Sequence, residues 1–165
     1  MKRFFQKMID RLLNREQSAD RLARSVSIGL FAAFSPYLGL QTWIIFPIAW
    51  ALSSNIPVAM IVLYTVNNPW TIIPIFVFDY AVGYWLTETL LGLNLGAYNP
   101  GWMEWVNTKL GNLLSGYVDV GDICLWCLVI GGTLVASAIS LAAYPFVYRF
   151  FDRIIQKRKE AAANE

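Results

Sequence analysis

Residues 25–78 are almost unbroken apolar sequence and carry no Lys, Arg, Asp, Glu or His. One bilayer crossing needs ~20 residues, so this run is more than twice the length of a single span. Its interruptions are residues that a plain lipid-facing helix avoids: Pro36, Gly39, Gln41, Pro47, Asn55, Pro57, Asn67, Asn68, Pro69 and Pro74. They divide the run into pieces at about 25–35, 40–53, 57–66 and 70–91, of which only the last is long enough to cross alone. A break frees backbone N–H and C=O groups, and in hydrocarbon such groups survive only where protein or water covers them. The pattern therefore predicts a covered or wet interior rather than a row of simple spans.

The flanks add three elements. Residues 3–15 place Phe4, Phe5, Met8, Ile9, Leu12 and Leu13 at helical spacing opposite Lys7, Asp10, Arg11 and Arg15, an amphipathic helix for the membrane surface. Residues 18–20 are set to cap a helix that enters the membrane past Arg21 and Arg24. In the 93–122 stretch Asn99 and Pro100 read as a helix start. Trp102, Val106, Leu110 and Leu113 share one face there, and Trp102, Trp105 and Tyr117 are placed to anchor a short helix at headgroup level. The final crossing, 123–148, contains Gly131, Gly132, Ala136 and Ala138, which permit close helix approach, and 157–165 reads as a frayed helical tail.

The predicted fold is all-α integral membrane: an amphipathic N-terminal helix, two full transmembrane helices plus broken or re-entrant helices, and an outer interfacial helix. The expected divisions are 1–20 (cytoplasmic interfacial helix), 21–150 (membrane domain, with 93–122 as outer loop) and 151–165 (charged cytoplasmic tail).

Composition supports this class, with 57% apolar residues over 165. The net charge of +2 matters less than its distribution. Lys2, Arg3, Lys7, Arg11, Arg15, Arg21 and Arg24 precede the apolar run, and Arg149, Arg153, Lys157, Arg158 and Lys159 follow the last crossing. Between them Lys109 stands alone against Asp79, Glu88, Glu104, Asp119 and Asp122. The positive-inside rule then puts both termini in the cytoplasm and 93–122 outside. Straight spans over 25–53 and 56–78 would reverse this, so re-entrant or broken elements are preferred, although 53–57 has no cation of its own to fix its side. No signal peptide is expected, because 1–24 is charged and amphipathic.

The chain has no histidine and two cysteines, which sets aside His-based triads, haem–His ligation and ordinary zinc sites. No enzymatic activity, cofactor or metal is expected. Cys124-Leu-Trp-Cys127 reads as a pair of small hydrophobes in an apolar helix, with no disulfide assigned. Asp79 is different. A carboxylate inside the fourth apolar piece is costly to hold charged, which makes it a candidate for proton coupling, and pairing with Arg21, Arg24 or a helix end is the more ordinary alternative. Glu88 is expected nearer the outer headgroups.

The densest polar chemistry lies at the breaks. Pro36-x-x-Gly39 stops a helix, and Gln41 and Thr42 follow at the start of the next one. Asn67-Asn68-Pro69-Trp-Thr71 sets Asn68 as N-cap, Pro69 at the first helical position and a hydroxyl in the first turn. The order G-L-F-x-x-F-x-P-x-x-G-x-Q, then N-x-P, then N-P-x-T resembles an uncharacterised bacterial inner-membrane family known only as a domain of unknown function. The resemblance covers about 21–92 and the final crossing, with Gly29, Pro36, Gly39, Gln41, Asn68, Pro69 and Thr71 at motif positions. It implies location and organisation, not chemistry.

Two half-helix N-termini separated by about 30 residues form the arrangement that discontinuous helices use to bind anions. The expected function is a small transporter or lipid-handling protein of the bacterial inner membrane, with Gln41, Thr42, Asn67, Asn68 and Thr71 binding an anionic group between the breaks at Pro36, Gly39 and Pro69. The competing class is a structural or assembly subunit of a larger membrane complex. Expected partners are membrane lipids, anionic headgroups at the basic ends, and either further copies of the chain or other membrane subunits; nucleic acid is not among them.

Overall fold

The structure, a computed structural model, describes residues 18–37, 39–114 and 123–163. The expected 1–20 interfacial helix, apart from its last residues, and the Tyr117 anchor lie outside them. Helix and turn account for the regular structure of the described residues, with no strand among them. The elements are α1 (Ala19–Phe34), α2 (Gln41–Ala51), α3 (Ile56–Val66), α4 (Pro69–Tyr84, continued by a π-helical turn Trp85–Leu90), a 3-10 turn (Leu95–Tyr98), α5 (Trp102–Leu114) and α6 (Leu125–Ala163). Two helices are long and apolar enough to cross a membrane, Trp70–Leu90 and Leu125–Ala161.

The described chain separates into two compact units. The first takes in the described residues of Met1–Ala33, Gly39–Val66 and Ser137–Glu165. In it the Ser18 hydroxyl accepts from Arg21 N at 3.2 Å, the N-cap that starts α1. Helices α2 and α3, 11 residues each, form an antiparallel hairpin, with Thr42 Oγ1 and Tyr64 Oη 3.3 Å apart near its open end. Gly29 lets α1 lie against α3, since a Cβ there would stand 2.5 Å from the Ala59 carbonyl oxygen and 2.7 Å from Val62 Cβ. Ser140 Oγ on α6 donates to the Ser27 carbonyl at 2.8 Å and joins the last helix to the first.

The second unit takes in Phe34–Leu38 and Asn67–Ala136. Its centre is the crossing of α4 with the first part of α6. A Cβ on Gly83 would collide with the Cys127 carbonyl, and one on Gly131 would collide with the Asp79 carbonyl oxygen and approach Gly83 N at 2.5 Å. Backbone rests on backbone at this point, a contact open to glycine alone. Asn99 ties the connecting segment to α6: its amide nitrogen donates to the Ile123 carbonyl at 2.8 Å and its oxygen accepts from Leu125 N at 3.0 Å.

Two expectations change and one is extended. The last helix runs on past the expected 123–148 crossing and through the described part of the helical tail to Ala163, because nothing after Pro145 breaks it and Gln156 donates to Asp152 one turn earlier at 2.9 Å. Asn99 does not start α5; that helix opens at Trp102, where Met103 N bonds the Pro100 carbonyl at 2.8 Å, and Asn99 is spent on α6. The fourth apolar piece widens into a π-helical turn where Thr87 Oγ1 donates back to the Gly83 carbonyl at 2.7 Å.

The crossing sets a prediction. Gly131→Ala and Gly83→Ala each force a Cβ into backbone and should lower unfolding stability in detergent by about 1–3 kcal/mol or prevent folding. Gly101→Ala, where a Cβ meets nothing within 4 Å, should leave the melting temperature unchanged. Equal melting temperatures for all three variants would refute the crossing.

Candidate functional site

The first break follows its sequence cues. Helix α1 ends at Phe34, and Gly39 takes φ +83°, a left-handed conformation that glycine adopts without steric cost. Helix α2 then starts at Gln41, whose side chain is buried, after Leu40, which provides no side-chain cap.

The hairpin tip is where the backbone is most exposed to loss of partners. Helix α2 closes in a Schellman motif: Ser54 N bonds the Ala49 carbonyl at 2.8 Å and Ser53 N the Trp50 carbonyl at 3.1 Å, with Ser53 at φ +48° in the position glycine usually fills. Arg24 Nη1 donates to the Leu52 carbonyl at 2.6 Å. The Ser25 hydroxyl accepts from Asn55 N and donates to the Arg21 carbonyl, both at 2.7 Å. Asn55 Oδ1 in turn accepts from Val58 N at 3.3 Å and caps α3. The clamp is itself anchored: Arg24 Nη2 pairs with Asp20 Oδ2 at 2.7 Å, and Asp20 Oδ1 accepts a short hydrogen bond from Tyr144 Oη.

The second break is a complete capping box. Asn68, extended at φ −116° and ψ 163°, accepts through Oδ1 from Trp70 N at 3.0 Å and Thr71 N at 3.2 Å. Thr71 Oγ1 accepts from Asn68 N and donates to the Asn68 carbonyl, both at 3.1 Å. Pro69 occupies the first turn, where its missing donor is not needed. Gln41 and Thr42 belong to the first unit and Asn67, Asn68, Pro69 and Thr71 to the second.

Within the second unit, two of the singled-out residues meet. Asp79 is 0% exposed, and neither of its carboxylate oxygens has a hydrogen-bond partner among the described residues. A Cβ on Gly132 would stand 2.8 Å from the Pro36 ring and 3.2 Å from Asp79 Oδ2, so the proline of the first break and the buried acid share the surface of Gly132. Tyr37 Oη and Thr133 Oγ1, beside them in sequence, share a hydrogen bond of 3.1 Å. Pairing of Asp79 with Arg24 is not what that arginine does, since its guanidinium is engaged by Asp20 and Leu52.

The cysteine pair also departs from expectation. Cys124 and Cys127 are joined as a disulfide. Spacing alone does not reveal this: Cys124 precedes α6 as its cap, receiving Cys127 N on its sulfur at 3.1 Å, and this brings the two side chains together.

Residues 2–160 match the model of a family described as an uncharacterized protein conserved in bacteria (DUF2062). The chain belongs to that family. The match is wider than 21–92 plus the final crossing, reaching into both flanks. Curated proteins and solved structures yield no match to the chain.

For this family member the two breaks differ in what their side chains already do. Thr71→Ala removes the acceptor for Asn68 N and should lower stability by about 0.5–2 kcal/mol, whereas Thr71→Ser keeps the box and should be near neutral in denaturant unfolding. If both variants unfold at the same denaturant concentration, the capping box does not hold the break.

Proposed function

We propose that this protein is a small, non-enzymatic inner-membrane transporter or lipid-handling protein of bacteria, in which each helix break presents a polar centre for an anionic group and Asp79 carries the coupling proton. The observation that carries the reading is the buried, unpartnered carboxylate of Asp79 against Gly132 and Pro36, inside a helix long and apolar enough to cross a membrane. An acid in such a place is expensive, and its usual justification is a proton or ion pathway. A half-helix starting at Gln41 and another starting at Pro69 provide N-termini of the kind that attract anions.

In this reading the α2–α3 hairpin is re-entrant. Each arm of 11 residues spans ~16 Å at 1.5 Å per residue, about half the hydrocarbon thickness. The hydrogen bond from Arg24 to Leu52 supports a cytoplasmic tip, because Arg24 belongs to the basic segment that the positive-inside rule keeps there. Both termini are then cytoplasmic and α5 lies on the outer interface, with Trp102 and Trp105 exposed and Met103 turned inward.

The topology has its own test. Single cysteines introduced at Gln6, Ser53 and Ala162 in a cysteine-free background should be shielded from a membrane-impermeant thiol reagent in intact cells, and one at Thr108 should be labelled. Labelling of Gln6 or Ala162 from outside would overturn the orientation, and labelling of Ser53 alone the re-entrant hairpin.

The binding role is tested on purified protein with phosphatidylglycerol, cardiolipin and inorganic phosphate, reading the ligand-induced rise in melting temperature. Gln41→Ala removes a buried polar side chain from the start of α2, so its ligand response is read against its own ligand-free melting temperature. It should lose most of the ligand-induced rise. Asp79→Asn should keep ligand binding but remove its dependence on pH. A Gln41→Ala protein that binds as the parent does would sink the polar-centre reading. Loss of stability together with loss of a co-purifying membrane subunit would favour an assembly role instead.

A further inference from the structure

The outer end of the second unit holds a cluster that the proposed function does not use. Sulfurs of Cys124 and Cys127 and a carboxylate oxygen of Glu88 lie within 4.8 Å of one another. Both cysteines are buried and Glu88 is half-buried. The three converge from separate causes. Glu88 is carried by the π-helical turn Trp85–Leu90, an irregularity often found where a helix re-aims a functional side chain. Thr87 Oγ1 stands 3.4 Å from Cys127 Sγ. Cys124 caps α6, so Cys127 N donates to Cys124 Sγ at 3.1 Å, and the helix N-terminus beneath the pair favours negative sulfur. Cys124 N donates in turn to Tyr80 Oη at 3.4 Å, which fixes the cap against α4.

A link between residues three apart closes a very small loop, so the pair constrains little of the unfolded chain. What two sulfurs and a carboxylate on one side of a helix cap do offer is a ligand set for a thiophilic divalent cation such as Zn²⁺, with a water to complete four-coordination. We propose that the dithiol form of Cys124 and Cys127, with Glu88 as third ligand, is a metal-binding site, and that the disulfide and the metal-bound dithiolate are its two alternative states.

The chemistry balances. A dithiol reductant gives two electrons and two protons to the Cys124–Cys127 bond and leaves as its own cyclic disulfide, yielding two thiols. The cation then displaces both thiol protons to solvent and takes two thiolates and the Glu88 carboxylate, for a net charge of −1 beside the α6 N-terminus. Glu88, the least buried of the three, marks the way in.

The test uses the full chain in detergent, without a histidine tag, reduced with dithiothreitol and freed of it under anaerobic conditions. Co²⁺ is the probe, because thiolate ligation gives a sulfur-to-metal charge-transfer band. The reduced protein should bind one equivalent, released by Zn²⁺, and the oxidised protein should give no band. Glu88→Gln should weaken Co²⁺ binding by about tenfold or more with both thiols intact, as expected for loss of one of three protein ligands. Two titratable thiols with no cobalt band would overturn the proposal. So would Glu88→Gln binding as tightly as the parent chain, or equal binding by the oxidised protein. None of these outcomes bears on the polar centre, so the two readings fail separately.

Discussion

Backbone groups released where an apolar helix stops must find partners inside the protein, and the rest of this fold is arranged around that requirement. At the hairpin tip the carbonyls of Ala49 and Trp50 are taken by the Schellman bonds and that of Leu52 by Arg24, while the amide of Asn55 goes to Ser25. At the second break the amides of Asn68, Trp70 and Thr71 are taken by the capping box. A typical hydrogen bond contributes about 1 kcal/mol net, but leaving its buried partner unmade costs more, about 1–3 kcal/mol. The asymmetry explains why polar residues crowd the breaks and stay out of the helices between them.

It also limits what those residues have left for a ligand. Thr71 donates its only hydroxyl proton to the Asn68 carbonyl, and Asn68 Oδ1 serves two amides. A side chain that holds a break cannot be removed to test binding without disturbing the break, so binding by any break variant is read against that variant's own ligand-free stability.

Much of this was legible in the sequence, because helix stops are local chemistry. Pro36, Gly39 and the Asn68-Pro69-x-Thr71 box end and start helices through atoms a few residues away, and the pieces at 25–35, 40–53, 57–66 and 70–91 lie close to α1, α2, α3 and the α4 helix with its π-helical turn. What escaped reading is long-range. The tip at 52–55 has no cation of its own, and the one that serves it sits 28 residues upstream at Arg24. Asn99 looked like a cap for the helix that follows it, yet its partners are 24 and 26 residues downstream. Glu88 and the cysteines are separated by a whole connecting segment, so no spacing rule joins them. Gly131 and Gly132 could be read as permitting close approach, but not that the approach would be to Gly83 and would seal Asp79 beneath it.

Helix α2 bears most directly on the proposal that lipid surrounds the chain. Gln41, Ile45 and Ala49 form its buried edge, while Trp43, Phe46 and Trp50 point away from the protein, Trp43 at 74% and Trp50 at 82% exposed. Both faces are apolar, apart from the Gln41–Thr42 start, so the amphipathic division that a helix on a water-soluble protein needs is missing. Tyr64 on α3, Trp70 and Ile73 on α4, and Leu141 and Phe146 on α6 repeat the pattern. In water such exposure would drive association; in lipid it has no penalty, and the helices must then be held by close contact and hydrogen bonds because no hydrophobic force pulls them together. Gly29 on α3, Gly83 on Gly131, and the bonds of Ser25, Ser140 and Tyr144 are those contacts. In a lipid surrounding, Asp79 is then, among the described residues, the buried acid whose carboxylate oxygens have no hydrogen-bond partner, and this singles it out for function.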